Sequence, residues 1–455
     1  MKFYNRKNEL EIINKLVFSK KSEFVYFMWR RRIWKTSLIN YYFTTNNIKY
    51  LYFFVWNKQE WNLLKWFEEI LEDFLGYKIT FDSIRDFLKF LFKYSTENQN
   101  LNIVFDEFQN FSFVNNEIFY DFQEFWDQYN KKWKINVFCV GSIYTMMEKI
   151  FRDKQAPLFW RSTAKLYINE FWVSTIREIL LDYDFYSQEN LLDVFSLFGW
   201  VPKYLEIFDN LEKNKNISLL ENILKNQYIT ENSLFLREGQ DLLLTEFWKT
   251  YHIYFSILEA IASGKTKRSE IADYTKINYD SLWLYLEKLE KVYKYIEKNI
   301  PIVKHKTKLN RYKITDNFLI FWFRYIYKKT NLIELWKYDE LTKFILNDIK
   351  NIEWFAFEKM IKQLIIKQNQ VWKFIINFDH IWNYWDRGWN EIDLVCFNST
   401  TKEVVFIECK LNHKKITDSI KDNLIKKSET IKEFNGYKKY YLFYSVSDLE
   451  KFFNS

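Results

Sequence analysis

Short apolar runs separated by amphipathic stretches mark the first third of the chain. Phe24–Met28 (FVYFM), residues 50–55 (YLYFFV), Leu101–Phe105 and Ile135–Val140 read as strands. The segments between them carry helical spacing, so the pattern predicts a mostly parallel α/β sheet. Residues 165–250 hold helical periods with polar breaks at 212–216 (EKNKN) and 226–233. A helix closing at Gly264, a second opening at Ser269 and a third over Asp280–Leu289 precede a hairpin pattern (VYKYIEKNIPIV, then RYKIT). That order predicts a winged helix. From about residue 346 a helix over Glu353–Ile366, a turn at 386–390 and strands at Glu391–Phe397 and Val404–Lys410 predict a small α/β domain. Five regions follow: a core (1–164), a helical lid (165–250), a winged helix (251–315), a helical linker (316–345) and the tail (346–455).

Composition adds one anomaly. The 455 residues are 48 % hydrophobic, enough for large cores, and the formal charge of +8 permits an anionic partner without demanding one. Three cysteines predict a reducing, cytoplasmic setting, and no apolar run long enough to span a bilayer is present. Yet there are only 7 glycines, where ordinary usage predicts about thirty, and there are 19 tryptophans. Several tryptophans stand where glycine is natural. Trp29 and Trp34 bracket a strand-to-helix loop, Trp160 follows Pro157-Leu-Phe, Trp200 follows Gly199 in a Gly-x-x-Pro turn, and Trp389 follows Gly388. Some bacterial lineages decode UGA as glycine where another table reads tryptophan. One cause then covers low glycine, high tryptophan and the positions together.

The loop itself is Trp29-Arg30-Arg31-Arg32-Ile33-Trp34-Lys35-Thr36-Ser37, between strand and helix. It has the spacing, lysine and threonine of a phosphate-cradling P-loop, with Trp in both glycine places. Glycine there lets backbone N–H groups curl around phosphates; an indole blocks them. With glycine restored, Lys35 bridges the β- and γ-phosphates of a nucleotide, Thr36 ligates Mg²⁺, and the helix start faces the phosphates. About 70 residues on, a strand ends in Asp106-Glu107. Asp106 would hold the Mg²⁺ shell and Glu107 would polarise the attacking water. Ser142, after the next strand, senses the γ-phosphate or caps a helix. Arg161 is a cationic sensor, a finger to a neighbouring copy, or a surface arginine.

These residues resemble the archaeal-type P-loop ATPases related to the AAA+ and signal-transduction ATPases. The resemblance rests on Phe3, Arg6, Glu9 and Leu10, RRRIWKTSL, FDEFQNF (105–111), GSIYTMME (141–148), PLFWRS (157–162) and GWVPKYL (199–205). It covers roughly residues 1–245 and extends into the winged helix. Such proteins carry glycine at positions 29, 34, 160 and 200. The resemblance implies a P-loop NTPase with ATP and Mg²⁺, followed by helical lid, winged helix and a restriction-endonuclease-like domain.

In the tail, Asp393, Glu408 and Lys410 follow a D-x14-E-x-K spacing that resembles PD-(D/E)xK nucleases, with Ile392 where a proline is usual. A hairpin would bring the three together, two carboxylates for Mg²⁺ and a lysine for the water, with Glu358 as a helix-borne ligand. The alternative is an inert relic of that fold. DNA is a candidate partner of the wing (Lys291, Lys294, Lys304, His305, Lys306, Lys308, Arg311); protein packing is the other. The third helix, with Asp280, Glu287 and Glu290, is no phosphate-seeking face. A homo-oligomer or protein partner stays open, and no membrane role is expected. The histidines and Cys139, Cys396 and Cys409 form no metal or nucleophile pattern. The expected function is an ATPase coupling nucleotide state to the tail; the alternative is a non-catalytic switch or scaffold.

Overall fold

A computed structural model describes residues 2–28, 32, 35–97, 101–131, 134–168, 171–301, 310–386 and 390–453. The chain divides into two compact units, residues 3–170 and residues 171–455 with the first two.

The first unit opens with α1 (Lys7–Val17) and β1 (Glu23–Met28), followed by α2 (Lys35–Thr45) and β2 (Leu51–Phe54). Then come α3 (Glu60–Leu75), α4 (Ile84–Glu97), β3 (Leu101–Asp106), β4 (Ile135–Val140) and β5 (Ala164–Tyr167). The strands form one sheet in the order β2-β3-β4-β1-β5, with every pair parallel. All six residues of both β3 and β4 are buried. That explains their largely apolar make-up, since a parallel sheet is covered on both faces; the two exceptions near their starts, Asn102 and Asn136, hydrogen-bond to one another at 2.9 Å. Alternation splits β1 between two cores. Phe24, Tyr26 and Met28 pack with Phe53, Phe67, Phe87, Phe105 and Phe122 on one side. Val25 and Phe27 pack with Leu38, Ile39, Phe43 and Phe138 on the other. β1 continues outward to β2 on one side, and β4 continues past β1 to β5 on the other. The reversal at β1 and β4 opens a crevice outside their carboxyl ends.

The second unit begins with helices Val173–Asp182 and Gln188–Phe198, the latter capped by the Ser187 hydroxyl accepting from the Asn190 N–H. Residues 226–233, expected as a loop, begin inside a wide helical turn, Leu224–Tyr228. Helices Tyr251–Ala262, Arg268–Thr275 and Tyr279–Glu287 are followed by the antiparallel pair β6 (Ile296–Asn299) and β7 (Arg311–Ile314). The tail starts with helix Lys350–Gln370, longer at both ends than its apolar spacing suggested. Its sheet has the order β11-β10-β9-β8, made of β8 (His380–Trp385), β9 (Glu391–Asn398), β10 (Glu403–Lys410) and β11 (Lys438–Ser445). β8, β9 and β10 are antiparallel neighbours, and β11 runs parallel to β10 after helix Asp418–Glu429. No described helix is long and apolar enough to cross a membrane.

Backbone conformation bears on the tryptophans. Among the described residues, Trp160, Trp248, Trp336 and Trp372 have φ between +41° and +64°, whereas Asn and Asp together supply only Asn5, Asn47 and Asp184. Trp248 closes its helix at φ 41°, ψ −114°, close to the φ 59°, ψ −129° of Gly199. A side chain in that region is strained, and glycine is not. All four tryptophans are also 73–86 % exposed, so no burial compensates the strain. Trp200 differs from the expectation. Gly199 takes the positive φ of that turn, and the Trp200 ring packs edge-on to Phe195 with centroids 5.1 Å apart.

Candidate functional site

The carboxyl ends of β1, β3 and β4 collect the polar residues of the first unit. Lys35 opens α2, and Thr36 follows in its first turn. The Thr36 hydroxyl donates to Asp106 Oδ2 at 2.5 Å. Tyr52, one residue into β2, donates its hydroxyl to the same oxygen at 2.8 Å. Asp106 Oδ1 accepts the backbone N–H of Glu107 at 2.8 Å. Asp106 is 1 % exposed, so these donors replace the water it would otherwise hold. Burial, then the Asp106 charge, push the Tyr52 phenol far above its ordinary range, so it stays a donor.

Glu107 takes a left-handed backbone at φ 54°, which turns the chain sharply off β3. Its Oε2 receives the amide of Gln109 at 2.5 Å and the hydroxyl of Ser142. The Ser142 N–H donates to Gln109 Oε1 at 3.2 Å, closing a ring of three side chains between β3 and β4. Gly141 is closely packed here. A Cβ on it would lie 2.3 Å from the Met147 sulfur and 2.6 Å from Gln109 Oε1. Gln109 and Tyr52 were not singled out from sequence; their only signals were a place inside FDEFQNF and in the neighbouring strand.

Of the remaining expected loop residues, Trp29, Arg30, Arg31, Ile33 and Trp34 lie outside the described residues, as does the Lys35 side chain. Arg32 has a left-handed backbone at φ 72°, and Ser37 is exposed on α2. Arg161 is placed elsewhere. Its guanidinium pairs with Asp127 at 2.8 Å and donates to the carbonyls of Pro157 and Phe159. A phosphate would have to compete with that pair.

The tail brings its expected residues to one place. The β9–β10 register ends at Ile407 opposite Leu394, so the next step sets Glu408 opposite Asp393. Asp393 Oδ2 accepts the Cys409 N–H at 2.7 Å, and Lys410 Nζ donates to Glu408 Oε1 at 2.6 Å. Glu408 Oε2 is buried without a hydrogen-bond partner. Burial, then the Glu408 charge, push the Asp393 carboxyl up to about 7. Burial, then the Asp393 charge, also push Glu358 well up. The three acids thus share one low-dielectric neighbourhood. Even so, no group of three acidic, His or Cys side chains among the described residues is arranged to hold a metal ion. Lys304, His305, Lys306 and Lys308 of the wing lie outside the described residues.

Residues 322–422 match the family DUF234, described as archaea bacterial proteins of unknown function. Over 451 residues the chain is 29 % identical to the uncharacterized protein MJECL04 of Methanocaldococcus jannaschii, covering 96 % of this chain and 94 % of that one. A Walker-type ATPase of Pyrococcus abyssi has a similar structure, with TM-score 0.50 at 18 % identity, over 71 % of this chain and 96 % of its own. The ORC2 protein of Aeropyrum pernix, in its ADPNP–ADP complexes, gives TM-score 0.50 at 15 % identity, over 76 % of this chain and 96 % of its own. The chain therefore has a P-loop ATPase fold of the AAA+ type, with helical and mixed-sheet regions after the parallel sheet.

Proposed function

We propose that the first unit binds ATP with Mg²⁺ in the crevice outside β1, β3 and β4 and hydrolyses it. The observation that carries this reading is the 2.5 Å contact between Thr36 Oγ1 and Asp106 Oδ2. The contact brings a hydroxyl and a carboxylate to one point, and Thr36 and Asp106 would hold a Mg²⁺ ion there. One hydroxyl and one carboxylate suit this ion, because substrate phosphates and water complete its shell. The ion would neutralise charge developing on the transferring phosphoryl group. Lys35 then meets the outer phosphates, Thr36 and Asp106 hold the ion, and Glu107 takes the proton of the attacking water. Ser142 and Gln109 orient Glu107. The test is Mg-ATP binding and phosphate release by the purified protein, with Lys35→Ala as control.

Glycine in the native protein at positions 29 and 34 is part of this reading, since an indole in the loop excludes the phosphates, and position 160 goes with them; at position 200 Gly199 takes the positive φ and the Trp200 ring packs on Phe195, so the backbone lends that position no support. The left-handed backbones of Trp160, Trp248, Trp336 and Trp372 support it and extend it to three further positions. Mass spectrometry of the native peptide from Arg30 to Lys35 tests it; tryptophan at 34 overturns it.

The helix-helix-helix-hairpin order over 251–315 supports a winged helix there, with DNA as the ligand to test. For the tail, the convergence of Asp393, Glu408, Lys410 and Glu358 supports a nuclease-like arrangement. Lys410 already occupies one oxygen of Glu408, and no described group closes on a metal. That observation favours a second reading, in which the ATPase acts as a switch on a tail that does not cleave. Mg²⁺-dependent nicking of single-stranded, duplex or branched DNA, lost in Asp393→Ala, separates the two.

A further inference from the structure

The second unit contains a cavity of about 310 Å³ between β7, helix Tyr251–Ala262, the segment 317–328 and helix Lys350–Gln370. Its size falls at the lower end of the range of ligand pockets, about 300–1,000 Å³. The wall is largely apolar, with Tyr312, Ile314, Ile320, Ile352, Phe355 and Leu394. Five cationic side chains line it against two acidic ones, Glu297 and Glu358.

Two of the five cations have other work. Arg324 pairs with Asp348 at 2.7 Å, and Lys359 donates to Asn317 Oδ1 at 2.9 Å. Lys313 lies over the Phe355 ring at 5.6 Å and acts electrostatically on Glu358. Among the described residues, Lys328 and Lys362 make no side-chain hydrogen bond or ion pair. A second observation points inward. Ser196 is 1 % exposed, lines the cavity, and its hydroxyl has no hydrogen-bond partner. Leaving such a group unpaired costs about 1–3 kcal/mol; its oxygen is shielded by the lining, so a small shift of that lining lets an occupant's polar atom satisfy it.

We propose that this cavity binds a small organic anion with an apolar body, of the class of nucleoside monophosphates. The body lies against Phe355, Tyr312 and the isoleucines, the anionic group meets Lys362 and Lys313, and a polar atom satisfies Ser196. The cavity lies wholly in the second unit, so the proposal stands or falls apart from ATP binding in the first.

The test is titration calorimetry of the full chain carrying Lys35→Ala, which removes the first unit's phosphate site, with AMP and GMP as probes. Saturable binding that weakens at least tenfold in Lys313→Glu/Lys362→Glu is expected. Ala356→Phe, which fills the cavity, should abolish it. Circular dichroism melts identify any variant that fails to fold, and Lys313→Gln/Lys362→Gln then replaces the charge reversal. No saturation at millimolar probe overturns the proposal. So does equal affinity in the charge-altered chain, or inorganic phosphate binding as tightly as AMP, which would mean a bare ion site.

Discussion

Thr36 and Asp106, 70 residues apart, are joined by a 2.5 Å hydrogen bond from hydroxyl to carboxylate. α2 packs its Leu38, Ile39 and Phe43 in one core with Val104 of β3, so the bond reports how the sheet brings two motifs to one point. Asp106→Asn keeps the shape and removes the charge. Mg-ATP affinity should fall at least tenfold, and nucleotide binding without Mg²⁺ should fall much less. Titrations with and without Mg²⁺ check this; equal losses in both would assign Asp106 a structural role alone.

Glu107 accepts from both Ser142 and Gln109. Glu107→Gln should still bind Mg-ATP and lose about 10²–10⁴-fold in turnover, the usual worth of a general base. Gln109→Ala should retain part of that activity, because it only orients the carboxylate. Single-turnover phosphate release measures both.

The exposed tryptophans with left-handed backbones predict a gain from substitution. Trp248→Gly removes strain of about 1–3 kcal/mol and loses little packing, so the second unit should unfold at higher denaturant. Trp322→Ala should cost about 3–5 kcal/mol. That ring is 3 % exposed, donates its N–H to the Leu236 carbonyl at 3.0 Å, and leaves no room for a Cβ on Gly239. Urea melts of the two variants should shift in opposite directions.

Asp193 and Glu353 face one another between helices Gln188–Phe198 and Lys350–Gln370, and both are buried. Burial, then the Glu353 charge, push the Asp193 carboxyl up to about 8. The folded state therefore holds a proton that the unfolded chain releases near pH 4. Stability is full below that pH and falls as pH rises toward 8, by at most about 1.4 kcal/mol per unit. Asp193→Asn should flatten this slope. Melting temperatures at pH 5 and pH 8 check the sign; a wild-type chain more stable at pH 8 than at pH 5, or a variant with the same slope, would contradict it.

The apolar runs at 24–28, 50–55, 101–105 and 135–140 sufficed to place β1, β2, β3 and β4, because strands buried on both faces, as the inner strands β1, β3 and β4 are, have to be largely apolar. Lys35-Thr36 and Asp106-Glu107 stood out as candidates from spacing alone, and the fold brings Thr36 and Asp106 into contact; the tail hairpin was legible from two apolar runs around a polar turn. Other features needed the fold. Tyr52 and Gln109 carry little local mark; Tyr52 matters because β2 flanks β3 and aims its hydroxyl at Asp106, and Gln109 because the turn after β3 brings it to Glu107 and to Ser142 beyond β4. Arg161 is drawn to Asp127, a partner 34 residues away that no spacing rule connects to it. Trp200 sits in a tolerated place because Gly199 bears the turn, which only the dihedral angles decide. The cavity beneath β7 has no trace in the sequence at all, since its walls come from elements up to about two hundred residues apart. Local pattern determined which segments bury and which end in charge; long-range packing decided which of those charges meet.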